Sequence, residues 1–269
     1  MNITGIIGLV IAVGLIVWGM QSGDGAAIGN FWDPASLAIT LGGTVGAVIF
    51  NYPASTLKKV GVMIKLTFFQ PKYDPNKTID EMVEYCKTAR LKGILQLEEA
   101  ANACSDPFTK SALMLIVDAN DSEKVQSMLD DSIDFMCERH ENNFNLWLKA
   151  GSVAPAFGMI GTLVGLINML KGLNLSDASS AANLGQGMST ALITTFYGCI
   201  IAHVFCNPIA NQLKYLHNKE VLCMQIVKEG ALAIISGANP RYVEEKLRMM
   251  LPATADKPKG AKASSSASE

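Results

Sequence analysis

The first 51 residues contain no lysine or arginine, and only 17% of the chain is charged against 49% hydrophobic. With a formal net charge of −2 there is no basic field to hold a nucleic acid, whose phosphates dominate that kind of binding. The three histidines, His140, His203 and His217, are far apart, and the six cysteines, Cys86, Cys104, Cys137, Cys199, Cys206 and Cys223, form no CxxC pair. Metal-ligand spacing is therefore absent. None of the cysteines falls in the connections 21–34 and 171–183, which are read as external, so no disulfide framework is expected and the thiols read as small buried apolar groups. The chain also lacks GxxxxGK[ST], GxSxG and HExxH, the arrangements that cradle phosphate, expose a nucleophilic serine or pair zinc-binding histidines. Neither an enzyme nor a cofactor is predicted.

What is present is a set of long uncharged runs. A membrane helix needs roughly 20 mostly apolar residues, and four segments qualify: 3–20, 35–51, 151–170 and 184–207. The first lacks the basic leading region and the small-residue cleavage site of a signal peptide. The expected fold is an all-α integral membrane protein with four transmembrane helices and a helical cytosolic domain between the second and third spans. Residues 1–51 hold spans 1 and 2, 52–150 the cytosolic helical domain, and 151–210 spans 3 and 4. Residues 211–252 form cytosolic C-terminal helices, and the Lys-Ala-Ser-rich stretch 253–269 a disordered tail.

Basic residues flanking spans are held on the cytoplasmic side. Residues 52–150 carry 12 Lys and Arg, residues 211–269 carry 9, and the 171–183 connection carries only Lys171. Both termini and the large loop are thus expected in the cytoplasm. In that loop Asp74-Pro75 reads as a helix start, Thr78 with Glu81 fits a capping box, and Asp121 can cap a helix running through Leu129, Ile133 and Met136 toward the third span.

None of the four spans contains Asp, Glu, Lys or Arg within its apolar core, whereas ion pathways usually need an intramembrane carboxylate. The chain either conducts nothing or lines a path whose titratable group belongs to another polypeptide. His203, near the cytoplasmic end of its helix, reads as a packed neutral side chain. At about 100° per residue, Pro155, Gly158, Thr162, Gly165 and Met169 share a face of the third span, and Met188, Ala191, Thr195, Gly198 and Ala202 share one of the fourth. Such small stripes pack helices closely, as do the pairs Gly161 with Gly165 and Gly42 with Gly46. The threonine hydroxyls add a second capability, since they coordinate cations or bond a partner's carboxylate. Pro155 and Pro208, near the cytoplasmic ends of their spans, suit a helix terminus or a hinge. Arg90, Lys92, Glu98 and Glu99 make a compact charged set in ARLKGILQLEEA, readable as a solvated face or as an electrostatic docking patch.

The runs VAPAFGMIGTLVGLINML at 153–170 and ALITTFYGCIIAHVFCNPIANQL at 191–213 resemble the third and fourth spans of flagellar stator A subunits, the MotA and PomA family. The likeness extends over nearly the whole chain and includes the R-x-K-G-x-L-x-L-E-E run of the large loop. It implies that Arg90, Glu98 and Glu99 engage the rotor protein FliG, that Thr162 and Thr195 line the ion route, and that Pro155 and Pro208 couple ion passage to the cytosolic domain. It further implies a MotB/PomB-type partner that supplies the carboxylate, a pentameric ring around a dimer of that partner, lipid contact in the bacterial inner membrane, and no nucleic acid. The transported ion is H+ or Na+, and Thr162 leans toward sodium. Arg90-Leu91-Lys92-Gly93 departs from the sodium members' R-K-G-G, so Lys92 takes no role from the resemblance. The rival readings are an ExbB/TolQ-like envelope motor, whose members resemble three-span chains, and a non-conducting membrane scaffold.

Overall fold

Four helices are long and apolar enough to cross a membrane. The computed structural model describes residues 3–22, 28–118, 121–172 and 180–252, and all its elements there are helical. The expected tail at 253–269 and most of the 171–183 connection lie outside the described residues. The spans are α1 (Ile3–Gln21), α2 (Pro34–Asn51), the outer part of a long helix, and a final helical run described below.

In chain order the remaining elements are α3 (Val60–Phe68), α4 (Pro75–Lys92), α5 (Leu97–Ala103), α6 (Pro107–Asp118) and α7 (Ser122–Lys171). After them come α8 (Ser180–Ile200), a π-helical stretch Ile201–Cys206, α9 (Asn207–Ile235) and α10 (Pro240–Arg248). The chain divides into two compact units: Met1–Pro71 with Glu138–His217, and Lys72–Cys137 with Asn218–Glu269. Residues 52–71 and 138–150 thus group with the spans. Their apolar side chains explain this, because Leu57 and Val60 pack with Val48, Leu146 and Cys206, and Met63 packs with Phe144, Ile209 and Leu213.

Within the membrane unit, α1 buries no side chain, as expected of a helix that is apolar all round and meets lipid. Asp33 caps α2 by accepting from the Ala35 N–H at 3.2 Å, with Pro34 in the first turn. Ser36, Thr40 and Thr44 are buried along one face of α2. Their hydroxyls are satisfied without water: Thr44 donates to the Thr40 carbonyl at 2.6 Å, Thr40 to that of Ser36, and Ser36 to that of Thr190 at 3.3 Å. The pair Gly42 and Gly46, expected to pack against a helix, has no other element among the described residues within 4 Å of where a Cβ would stand, and it is Gly43 that lies under the Phe157 ring. One position changes the face, because residues adjacent on a helix point about 100° apart.

In the polar unit, Ile79, Met82, Leu97, Leu113, Ile116, Val125, Leu129, Ile226 and Leu247 form the core. Its helices start at acidic or amide caps: Asp74 accepts from Asn76 N at 3.1 Å, Asp106 from Thr109 N at 2.8 Å, Asp121 from Glu123 N at 3.1 Å and Asn239 from Arg241 N at 3.0 Å. The capping box expected at Thr78 and Glu81 does not form. Asp74 with Pro75 starts the helix one turn earlier, so Thr78 already lies inside α4, its hydroxyl on the Asp74 carbonyl at 3.1 Å, while Glu81 pairs with Lys77 at 3.3 Å. Partly buried ion pairs, Lys228 with Asp130 at 2.9 Å and Lys246 with Glu229 at 2.7 Å, lie on the flank of α9.

Candidate functional site

Spans three and four meet at glycines. A Cβ on Gly198 would stand 2.8 Å from the Ala154 carbonyl oxygen, and one on Gly165 would stand 2.9 Å from that of Gly187. Gly158 lies equally close to the backbone of Thr194 and Thr195. Only a chain with no side chain at these positions brings the two backbones this near. That approach places the Thr162 and Thr195 hydroxyl oxygens 2.6 Å apart, although each belongs to a different span.

The hydroxyls share a carbonyl as well as each other. Ala191 O accepts from Thr162 at 3.0 Å, from Thr194 at 2.9 Å and from Thr195 at 3.4 Å, and Thr162 also reaches Gly158 O at 3.1 Å. One of the two hydroxyls donates to the other, which in turn donates to a backbone carbonyl, and lone pairs remain on both for a cation or for a partner's donor. Thr194, next to Thr195 but about 100° round the helix, is buried and packs over Gly161 instead. The Thr-Thr doublet therefore splits into an open hydroxyl and a packing one. Sequence reading passed over Thr194 and the Ala191 carbonyl, and the doublet was the available signal for the first of them.

Pro155 lies inside the continuous α7, and Pro208 follows the π-helical stretch without a break in the helical run, so neither proline ends a helix. The π stretch suits Pro208, whose ring displaces the carbonyl four residues back. Gly151, four residues before Pro155, packs against the side chains of Asn207 and Cys206, next to Pro208. Pro155 itself lies against Gly198, so the two prolines stand at different levels of the helix pair. A second feature absent from the sequence reading is Tyr197, whose hydroxyl donates to the Phe31 carbonyl and accepts from the Asp33 N–H at 3.4 Å. It ties the entry of α2 to the fourth span.

In the polar unit, Arg90 ends α4, and Glu98 and Glu99 occupy the first turn of α5, where the helix dipole favours acids. All three are exposed. Glu99 accepts from the Gln96 amide, while Arg90 and Glu98 make no ion pair among the described residues. Nearby, burial pushes the Cys86 thiol up, partly opposed by the Arg90 guanidinium. A cleft of about 560 Å³ in this unit is lined by Tyr73, Tyr85, Cys104, Asp106, Glu220 and Cys223 among others. Burial first, then the charges of Cys104 and Glu81, push the Tyr85 phenol up to about 12. Among the described residues no group of three or more His, Cys, Asp or Glu side chains is placed to hold a metal ion.

Two family models divide the chain between them. Residues 6–93 match Motility protein A N-terminal, and residues 100–226 match the MotA/TolQ/ExbB proton channel family. Motility protein A of Borreliella burgdorferi is 36% identical over 251 residues, which cover 93% of this chain and 94% of that one. The chain belongs to the MotA family. The protein YtxD of Bacillus subtilis is 38% identical over 242 residues, covering 90% of this chain and 87% of that one. The flagellar MotAB stator complex from Bacillus subtilis superposes with a TM-score of 0.81 at 28% identity, covering 94% of this chain and 96% of the matched chain. As a MotA-family chain it is a multi-pass membrane protein and a stator subunit, not an enzyme. The ExbB/TolQ reading is not favoured, since the N-terminal match is to the motility proteins.

Proposed function

We propose that this chain assembles as a pentameric ring around a dimer of a MotB/PomB-type partner in the bacterial inner membrane and converts inward flow of H+ or Na+ into torque on the rotor protein FliG. The observation that carries the reading is the Thr162–Thr195 hydroxyl pair at 2.6 Å, set in spans whose cores hold no acidic or basic side chain. Such a lining has the oxygens to pass a cation but no group to titrate, so the essential carboxylate comes from the partner's helix. An ion crossing the membrane releases about 2.3 kcal/mol per charge per 100 mV, which supplies the work without covalent chemistry by this chain. Both termini and the large loop face the cytoplasm in this reading, which puts Arg90, Glu98 and Glu99 where a rotor protein can meet them. Pro155 and Pro208, each inside a continuous helical run, are the hinge through which ion passage moves the polar unit. Sodium is the favoured ion, on the strength of the paired hydroxyls.

The test is rotation of tethered cells that lack their own stator, supplied with this chain and its cognate partner over a sodium series. Rotation restored by the pair and abolished by Thr195→Val supports the reading, and its dependence on sodium names the ion. Correctly assembled complexes that turn no rotor under any gradient overturn it.

A further inference from the structure

Beyond the spans, two runs of exposed large apolar side chains stand out among the described residues: Val62, Ile64, Leu66 and Phe69 on and just after α3 in the membrane unit, and one in the polar unit. Leu91 is 84% exposed, Leu95 76% and Ile94 40%, all at the corner between α4 and α5. Isolated exposed leucines need no explanation, but three large apolar side chains within five residues form a patch. The corner that presents them is held in a defined shape. Gly93 turns the chain at φ 90°, a conformation that favours glycine, and its N–H closes on the Ala89 carbonyl at 3.0 Å. The Gln96 N–H returns to the Gly93 carbonyl at 3.3 Å, and Leu97, fully buried in the core, pegs the start of α5 beneath the patch.

Charge brackets the patch asymmetrically. Arg90 precedes it and Glu98 with Glu99 follows it, all exposed. An apolar centre inside a polar, charged rim is the anatomy of a protein-binding surface. The bracket also specifies the occupant: an apolar stripe with an acid toward Arg90 and a base toward the glutamates. A bare lipid surface does not fit, because Glu98 and Glu99 offset the exposed Arg90 and Lys92 and leave no net positive charge to hold anionic headgroups.

We propose that Leu91 and Leu95 are the apolar centre of the surface with which this chain holds its rotor partner, and that they seat one amphipathic helix of that partner between Arg90 and the Glu98–Glu99 pair. The inference rests on the rotor reading above and assigns a division of labour within it. Long-range charges steer the encounter and set its direction, whereas the desolvated leucines slow dissociation.

The experiment uses the whole complex, this chain with its B-type partner, in cells without their own stator, and reads the dwell time of single units on a rotor from stepwise changes in bead speed. Leu91→Ser with Leu95→Ser is expected to shorten the dwell about tenfold or more, the effect of losing apolar hot-spot contacts. The speed contributed by each engaged unit should not change, and Leu91→Met, which keeps the apolar volume, should keep the dwell. An unchanged dwell in the serine variant overturns the inference while leaving the rotor reading intact. Loss of the purified complex's oligomeric size in that variant also overturns it, by giving the patch to a neighbouring copy. A wild-type complex that turns no rotor at all fails at the earlier step and removes the rotor reading itself.

Discussion

The hydroxyl oxygens of Thr162 and Thr195 stand 2.6 Å apart across two spans, each also within reach of the Ala191 carbonyl. A hard cation takes its oxygens at about 2.3–2.6 Å, and two oxygens in adjacent coordination positions then stand about 3.4 Å apart. At 2.6 Å the pair is a hydrogen bond, closer than two ligands of one cation stand, so on the proposed ion route it would have to open. Thr195→Val keeps the branched shape and deletes the oxygen. We expect assembly to be retained and ion flux with rotation to fall about tenfold or more, a scale set by losing a hydrogen bond or ligand to a charged species. Thr195→Ser, which restores the oxygen, should recover most of the rotation, and radioactive or fluorescent sodium uptake alongside bead speed checks both. Equal rotation in Thr195→Val and wild type would leave the hydroxyls as packing groups.

Gly198 tests the close approach itself. Its added Cβ would stand 2.8 Å from the Ala154 carbonyl oxygen and 3.2 Å from the Pro155 Cα, both backbone atoms with little freedom to retreat. Gly198→Ala should destabilise the purified complex by about 1–3 kcal/mol, the range for overpacking a tight site, and lower its thermal midpoint. Gly61→Ala, within α3 and with no atom within 4 Å of the new methyl, should leave the midpoint unchanged or slightly raised.

The number of spans and the helical character were legible because both are set locally: apolar runs of the right length, and acidic caps such as Asp74 and Asp121 before periodic segments. Periodicity also put Thr162 and Thr195 on the small faces of their helices. It did not yield their mutual distance, which depends on how deeply Gly158, Gly165 and Gly198 let the backbones sink together. Glycine pairs were ambiguous in the same way. Gly42 with Gly46 and Gly161 with Gly165 have the same spacing, but only the second pair faces a neighbouring helix of this chain. The prolines were read as helix ends or hinges, and continuity of the helix through Pro155 becomes visible only once tertiary packing supports the interrupted ladder. The apolar corner at Leu91 and Leu95 was invisible for a different reason. In sequence the two leucines sit in an apolar run between charged residues, and their exposure depends on which faces of α4 and of the turn after Gly93 pack on the core.

Arg90 and Glu98 are exposed and free of ion pairs among the described residues, so replacing Glu98 breaks no ion pair and gives up only the favourable place of an acid in the first turn of α5. Surface substitutions of this kind stay within about 0.5 kcal/mol of wild-type stability. Glu98→Lys should therefore assemble normally, with a thermal midpoint only slightly lowered by a base at the N-terminus of α5, while rotation in tethered cells is severely reduced by the like charge it presents to a basic partner side chain. Reversal of that partner charge should restore rotation. A Glu98→Lys complex that rotates as wild type would place the rotor contact elsewhere on the polar unit.

Tyr85 gives the polar unit a signature in alkali. Its phenol is pushed up to about 12, chiefly by burial, from the ordinary tyrosine value of about 10. A group whose pKa is raised by folding contributes stability that is fully present below its unfolded pKa and is lost as pH rises through the folded one. Between about pH 10 and 12 the unfolded chain can ionise this tyrosine while the folded chain cannot. The helical signal of the purified complex should weaken across that window, with tyrosinate absorbance from Tyr85 appearing only as the helices are lost. Tyr85→Phe removes the ionisable group and keeps the ring against its neighbours, so it should flatten the pH dependence between about 10 and 12. If tyrosinate from Tyr85 instead appears near pH 10 with the helices intact, the phenol is in contact with water and the cleft beside Cys104 is open in the assembled protein.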